Sequence, residues 1–203
     1  ASKVYSCTAE GNRITVKGSL AGTSRAPFLR FTAVYEFFED GAVKVQLDGA
    51  VPEGFTTYLP RLGFEFVSPV QNDGFTYFAC GKGESYRDMH GHARMGMYES
   101  CAADEYVDYP MPQEHGNHFN AKLLRLNGGL AFSADEGFEF NVSEYTAAAL
   151  DMAKHTNELS KNGYTNIRID YKDSGLGSAS CGPELPEEYQ LREKDIHFSF
   201  IIN

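Results

Sequence analysis

Hydrophobic and polar residues alternate with a period of two along much of this chain, the pattern of strands that bury one face. Ile14 and Val16 alternate with Arg13, Thr15 and Lys17. Phe31, Ala33, Tyr35 and Phe37 alternate with Thr32, Val34 and Glu36, and Val43, Val45 and Leu47 with Lys44, Gln46 and Asp48. The same spacing recurs at Leu62, Phe64 and Phe66, at Phe138, Phe140 and Val142, at Ile167, Ile169 and Tyr171, and at Ile196, Phe198 and Phe200. Strands of this kind bury one face and wet the other, which is antiparallel behaviour. Glu39-Asp40-Gly41 predicts a hairpin turn, because Gly41 can take positive φ. No strand-helix rhythm accompanies these runs, so a parallel sheet is not expected.

One stretch departs from the period. Thr146-Ala147-Ala148-Ala149-Leu150-Asp151-Met152-Ala153-Lys154 is rich in helix formers. Thr146 is a suitable N-cap and Lys154 suits the C-terminal end. The spacing predicts a short helix of two or three turns near 146–154, at the sheet's edge. Residues 79–120 are the least regular part, and long loops on a rigid sheet commonly carry binding residues. No linker or tandem repeat divides the chain, so residues 1–203 read as one all-β antiparallel domain with a single helix.

Composition agrees with that class. The 203 residues include 15 Phe, 12 Tyr, 20 Gly and 8 Pro, and no Trp. A chain of this size can bury a sizeable core without staples. The formal net charge of -10 repels a phosphate backbone, so nucleic acid is not an expected partner. No apolar run reaches membrane-spanning length and no basic block faces a membrane. Cys7, Cys80, Cys101 and Cys181 fit no metal-knuckle spacing and read as free thiols in a reducing cytoplasm. The first residues, Ala1-Ser2-Lys3-Val4-Tyr5, lack an initiator Met and a leader pattern, as expected of an excised fragment or processed chain.

Candidate chemistry is sparse. Glu84, Asp88, Glu99, Asp104, Glu105 and Asp108 could supply a glycosidase-type carboxylate pair, but their spacing singles out no pair and a solvated surface accounts for them. His90-Gly91-His92 and Glu114-His115-Gly116-Asn117-His118 contain metal-ligand types without a zinc-motif spacing. Loop histidines bonded to backbone are the expected arrangement. The glycines at 175, 177 and 182 lack the lysine and following helix of a phosphate loop, and read as tight turns stiffened by Pro183. No Gly-x-Ser-x-Gly elbow is present.

Several stretches, taken in order, resemble one family. These are Leu59-Pro60-Arg61-Leu62-Gly63, Gly81-Lys82-Gly83-Glu84-Ser85-Tyr86-Arg87-Asp88, and Val107-Asp108-Tyr109-Pro110-Met111 running into Pro112-Gln113-Glu114-His115-Gly116-Asn117-His118. Phe138-Glu139-Phe140-Asn141-Val142-Ser143, Ala153-Lys154-His155 with Glu158-Leu159, and the block from Asp170 to Leu185 complete the series. Together they resemble the C-terminal domain of the large β-galactosidases of glycoside hydrolase family 2. The second stretch is two residues shorter than the family's and lacks its Pro before Glu84, so that loop is expected to be reshaped.

The resemblance implies a galactose mutarotase-like supersandwich within an enzyme that hydrolyses terminal β-galactosides with retention. It implies that both catalytic glutamates lie elsewhere, in a (β/α)8 barrel that this chain cannot be. The implied partners are that barrel and a galactoside at the domain edge, in a bacterial cytoplasmic homo-oligomer. No cofactor is implied for this chain, while Mg or Na ions are implied for the catalytic domain. Some members place a Trp against the sugar just before the strand matching Phe138–Phe140. Ala134 stands there by position, so the stacking face falls to Phe132 or another aromatic, on a loop from Phe132 to Gly137 that includes Asp135 and Glu136. Arg61, Glu114 and His118 are further candidates for orienting sugar or holding the sheet. An alternative reading is a stand-alone aldose-binding or mutarotase-like protein using Glu114 with His118 as its acid–base pair.

Overall fold

The computed structural model describes residues 1–176 and 182–203, so Gly177 and Cys181 lie outside the described residues. Among these, the strands are β1 (Ser2–Glu10), β2 (Arg13–Ala21), β3 (Pro27–Phe37), β4 (Val43–Ala50), β5 (Arg61–Ser68), β6 (Gly74–Gly81), β7 (Arg94–Cys101), β8 (Asn117–Leu126), β9 (Ala131–Ser143), β10 (Thr165–Asp173) and β11 (Asp195–Ile202). Every pairing between them is antiparallel. The hairpin predicted at Glu39–Gly41 joins β3 to β4, with Gly41 at φ 92° and Asp40 Oδ1 accepting from Ala42 N at 3.0 Å.

The main path runs β1-β2-β3-β4-β11-β9-β8-β6-β7, and β10 leaves it to pair with β9 and β5. The fork lies on β9. Its first residues, Phe132 and Ser133, pair with Ile202 and Ile201 of β11. Its later residues, Glu139 to Ser143, pair with Asp170 to Asn166 of β10. Gly137, between the two, has φ 93°, a conformation in which a β-carbon is strained.

The branch lays its aromatics onto the main sheet. Phe64 of β5 meets Phe200 edge-on with centroids 5.5 Å apart, and Phe66 lies 5.0 Å from Phe132 and 6.2 Å from Phe200. Tyr171 of β10 packs at 5.9 Å from Phe198. Pairs in such tilted and edge-to-face geometries add roughly 0.5–1.5 kcal/mol each beyond the area they bury. The core therefore lies between the branch and the β9–β11–β4 part of the main sheet, with Leu29, Val45, Leu47, Ile167 and Ile169 filling it.

Two expectations need correction. The helix, α1 (Ala147–Met152), is shorter than predicted. Thr146 caps it as expected, its Oγ1 accepting from Ala149 N at 3.1 Å, but Ala153 is already extended. Lys154 lies beyond the end, its N–H satisfied by Glu158 Oε2 at 2.9 Å rather than by another helical turn. Second, β10 and the end of β9 are buried on both faces. Ile167 and Ile169 face the core, while Arg168 and Asp170 on the opposite face are only 2% and 3% exposed.

Candidate functional site

That second face of β9, β10 and β5 is polar, and the segments before β7 and before β8 supply partners for it. Period-2 alternation sends Arg168, Asp170, Glu139 and Asn141 to this side because their neighbours fill the core. Arg61, the first residue of β5, is its hub. Arg61 Nη1 lies 2.7 Å from Glu114 Oε2 and 3.9 Å from Asp173 Oδ2, and Nη2 donates to Asp170 Oδ2. Arg168 Nη1 donates to Asn141 Oδ1 at 2.9 Å and lies 3.5 Å from the same Glu114 oxygen. Glu139 accepts from Arg87 Nη2 at 3.2 Å and from Asn117 Nδ2 at 3.0 Å.

The surrounding loops are tied to this network. Glu84 Oε2 accepts from Gly116 N at 2.9 Å, and its other oxygen accepts from the Tyr109 hydroxyl. Gly116 has φ 71°, and a β-carbon there would approach Glu105 O to 2.8 Å, so both conformation and space call for glycine. Ser174 Oγ donates to Leu59 O at 2.7 Å and accepts from Leu191 N at 2.9 Å, fixing the chain beyond β10 against the entry to β5. Tyr58, Pro60, Arg61, Glu114, Asp173 and Ser174 line a pocket of about 260 Å³ at this junction.

Negative charge exceeds positive in this buried region, and its acids respond. Burial pushes the Asp173 carboxyl up to about 9, Arg61 opposing the shift and Glu114, Glu139 and Asp170 adding to it. Burial likewise pushes Glu139 up to about 7 against the pull of Arg87 and Asn117. Asp170 is raised by burial despite Arg61. Burial alone would lower Arg61, but Asp170, Glu114 and Asp173 raise it above its ordinary value.

The predicted site residues fall in separate places. Arg61 and Glu114 come together, as described. His118 does not join them: it is fully buried on the apolar side of β8, 4.7 Å from Phe140 and 4.4 Å from Tyr77 by ring centroids, with Nε2 at 2.9 Å from Glu105 Oε2. Glu105 is held below its usual carboxylate range by that contact, against the upward push of burial. The proposed Glu114–His118 acid–base pair is therefore not assembled. Phe132 is also corrected. Residues 132–137 lie within β9 rather than on a loop, and Phe132 is 0% exposed in the aromatic core. Asp135 and Glu136 are exposed on β9 beside Lys44 and Lys122, around a separate groove of about 460 Å³.

Of the acids read as surface, Glu84, Asp88, Glu105 and Asp108 are bonded to other segments. Three of the motif histidines are backbone-bonded as expected of loop residues: His90 Nδ1 donates to Tyr86 O at 2.9 Å, His92 Nε2 to Glu84 O at 2.9 Å and His115 Nδ1 to Gln113 O at 2.8 Å, whereas His118 lies on β8 and bonds the Glu105 side chain. Among the described residues no group of three or more His, Cys, Asp or Glu is placed to hold a metal ion, and no helix is long and apolar enough to cross a membrane. Cys7, Cys80 and Cys101 are free thiols. Sequence reading missed Tyr58, Arg168, Asp170, Asp173 and Glu139 as members of one site, although all five stand in or beside the stretches that carried the resemblance.

The family described as β-galactosidase small chain matches residues 2–202. The chain belongs to this small-chain family. Among its relatives are β-galactosidases of Actinobacillus pleuropneumoniae, 37% identical over 186 residues and 92% of this chain, and of Kluyveromyces lactis, 35% identical over 147 residues and 70% of this chain. The β-galactosidase of Staphylococcus xylosus is 30% identical over 177 residues, 86% of this chain. The small-chain sequence spans only 18%, 14% and 18% of these three relatives. Its buried ion network is built from the same stretches that resemble the family: Arg61, Arg87, Glu114, Glu139 and Asp170 each come from one of them.

Proposed function

We propose that this chain is a non-catalytic part of a β-galactosidase, which packs on the barrel bearing the catalytic glutamates and lends an edge to the galactoside site. The observation that carries the reading is the family match over residues 2–202 in a chain that spans less than a fifth of its β-galactosidase relatives. The state of the carboxylates supports it. Retaining glycosidases need two carboxyl groups free to face the scissile bond, whereas Glu114, Asp170 and Glu139 here are spent on guanidinium groups. On this reading any Mg or Na ion belongs to the catalytic portion. The enzyme acts in a bacterial cytoplasm as a homo-oligomer, in keeping with the free thiols.

The test is an assay of the purified chain, alone and combined with the rest of the enzyme, on a chromogenic β-galactoside. The expected outcome is no turnover by the chain alone and full turnover by the assembly, with retention of anomeric configuration. Turnover by the chain alone, or an assembly indifferent to its removal, would contradict the reading.

A further inference from the structure

Two Asn-Gly pairs occur in the sequence, Asn127-Gly128 and Asn162-Gly163, and both are exposed. In such a pair the glycine nitrogen can attack the asparagine side-chain carbonyl carbon, because no β-carbon on the second residue stands in the way. The fold treats the two pairs differently. Asn127-Gly128 lies in the turn between β8 and β9, where Gly128 N donates to both carboxylate oxygens of Asp73, each at 3.2 Å. An attacking nitrogen must shed its proton. The facing carboxylate holds that proton and opposes the negative charge its loss would leave. The Asn127 amide also leans across the sheet onto Gly74 of β6, where a β-carbon would come within 2.6 Å of Nδ2.

Asn162-Gly163 stands at the entry to β10, with Gly163 at φ 82°. Asn162 Oδ1 accepts from Tyr164 N at 3.1 Å, and this backbone donor fixes which amide atom is the oxygen. A bond from the side chain to the nitrogen two residues on curls the amide along its own main chain, over the nitrogen of Gly163. The side chains of Asn162 and Asn166 pair in both directions: Asn162 Nδ2 donates to Asn166 Oδ1 at 3.0 Å, and Asn166 Nδ2 donates to Asn162 Oδ1 at 3.3 Å. Asn166 is held in turn by donating to Ser143 O at 3.2 Å. Two donors on the Asn162 carbonyl oxygen polarise it and meet the charge it gains when its carbon is attacked. Among the described residues no group accepts a hydrogen bond from Gly163 N, so nothing there holds its proton as Asp73 holds that of Gly128.

We infer that Asn162 is a site of spontaneous deamidation in the folded chain, and that the fold protects Asn127 from the same reaction. Gly163 N gives its proton to water or hydroxide and bonds to Asn162 Cγ. The Cγ–Nδ2 bond breaks, Nδ2 takes up a proton and leaves as ammonia, and a cyclic succinimide remains. Water then cleaves either of the ring's acyl C–N bonds. One product is aspartate at 162, and the other is an isoaspartyl linkage that runs the main chain through Cγ. The second inserts an extra methylene just before Thr165, whose hydroxyl accepts from Asp73 N at 2.9 Å and donates to Val70 O at 2.8 Å. The entry to β10 is thereby loosened. Nothing in this chemistry depends on the enzymatic reading.

The test ages the folded 203-residue chain in neutral buffer, digests it at intervals, and follows each peptide by mass spectrometry for the gain that accompanies exchange of amide for acid. The Asn162 peptide should convert to aspartyl and isoaspartyl forms about tenfold faster than the Asn127 peptide. In urea, where neither turn survives, the two rates should agree within about twofold. Asn166→Ala removes one donor from Asn162 Oδ1 and should slow that site about threefold. An unchanged Asn127 rate shows that this variant stays folded, because unfolding would bring Asn127 to its rate in urea. The isoaspartyl fraction should unfold at a lower urea concentration than the unaged chain. Equal rates in the folded chain, faster conversion at Asn127, or the same ratio with and without urea would overturn the inference. So would an Asn166→Ala chain in which both sites keep their parent rates. An isoaspartyl fraction as stable as the parent would overturn the consequence for β10.

Discussion

Arg61 Nη2 donates a hydrogen bond to Oδ2 of Asp170, 109 positions further along the chain, and so joins the start of β5 to the branch strand β10. Two more acids, Glu114 and Asp173, face the same guanidinium. Arg61→Met should therefore strand buried carboxylates and destabilise the chain by about 3 kcal/mol or more. Asp170→Asn, which leaves a neutral group in place, should cost less. Urea unfolding midpoints of the two variants measure the difference, and equal effects would show that Arg61 acts through packing alone.

Gly63 lies opposite Asp170 in the β5–β10 register. A β-carbon on Gly63 would sit 2.1 Å from Asp170 Oδ1 and 2.4 Å from Ile169 O. The backbone atom cannot move aside, so Gly63→Ala should destabilise by about 1–3 kcal/mol through overpacking. It should also shift the amide resonances of Asp170 and Arg61. A variant of parent stability would mean that β5 and β10 separate more freely than their pairing suggests.

Stability should fall as pH rises through the neutral range. The Asp173 carboxyl moves from 3.8 to about 9 on folding, and that of Glu139 from 4.5 to about 7. The folded state therefore holds protons that the unfolded state has released, and folding is favoured below the unfolded values and weakened as pH climbs toward the folded ones. Each such proton tilts stability by about 1.4 kcal/mol per pH unit within its window. Thermal melts from about pH 5 to pH 9 should show the decline. Asp173→Asn mimics the protonated acid, so it should flatten the profile by one proton's worth while leaving stability at the acid end nearly unchanged.

How far the sequence disclosed this structure depended on which faces are buried. The alternating runs located seven strands because each carries one apolar face. β1 went unseen because all nine of its residues are exposed, so nothing constrains their polarity. β7, at the other end of the sheet path, has no fully buried residue. β8 breaks its own period with register shifts around Ala121 and with Asn120 at φ 55°. β6 does alternate, with Phe75, Tyr77 and Ala79 buried, but Phe78 beside Tyr77 blurs the pattern. The site was harder still. Arg61 and Glu114 stood out by type, whereas Asp170 and Asp173 read as parts of a turn, because only the pairing of β10 with both β5 and β9 brings them to one buried face.

At the fork, Phe132 and Phe66 couple the two layers across 5.0 Å. Phe132→Ala should cost about 3–5 kcal/mol, since its side chain is wholly enclosed. Phe66→Ala, at a partly buried position, should cost less. The double variant should lose about 0.5–1.5 kcal/mol less than the sum of the two, which is the worth of the pair itself. Strict additivity in chemical denaturation would show that the branch is held to the main sheet by other contacts.

β1 is paired on one side only, to β2, and buries none of its nine residues, with Val4 59% and Tyr5 49% exposed. Its backbone bonds therefore have little side-chain packing to protect them, and they should open at a far lower free energy than those of β9 and β10. Amide hydrogen exchange on the isolated chain should find β1 exchanging first and β10 last. On the proposed reading, an exposed edge with apolar residues on it is a surface for the rest of the β-galactosidase to cover. Exchange in β1 should then slow while β10 stays as it was. If β1 is as protected as β10 in the isolated chain, its stability comes from β2 pairing alone. If assembly leaves β1 unprotected, the proposed packing on a catalytic portion does not use this edge.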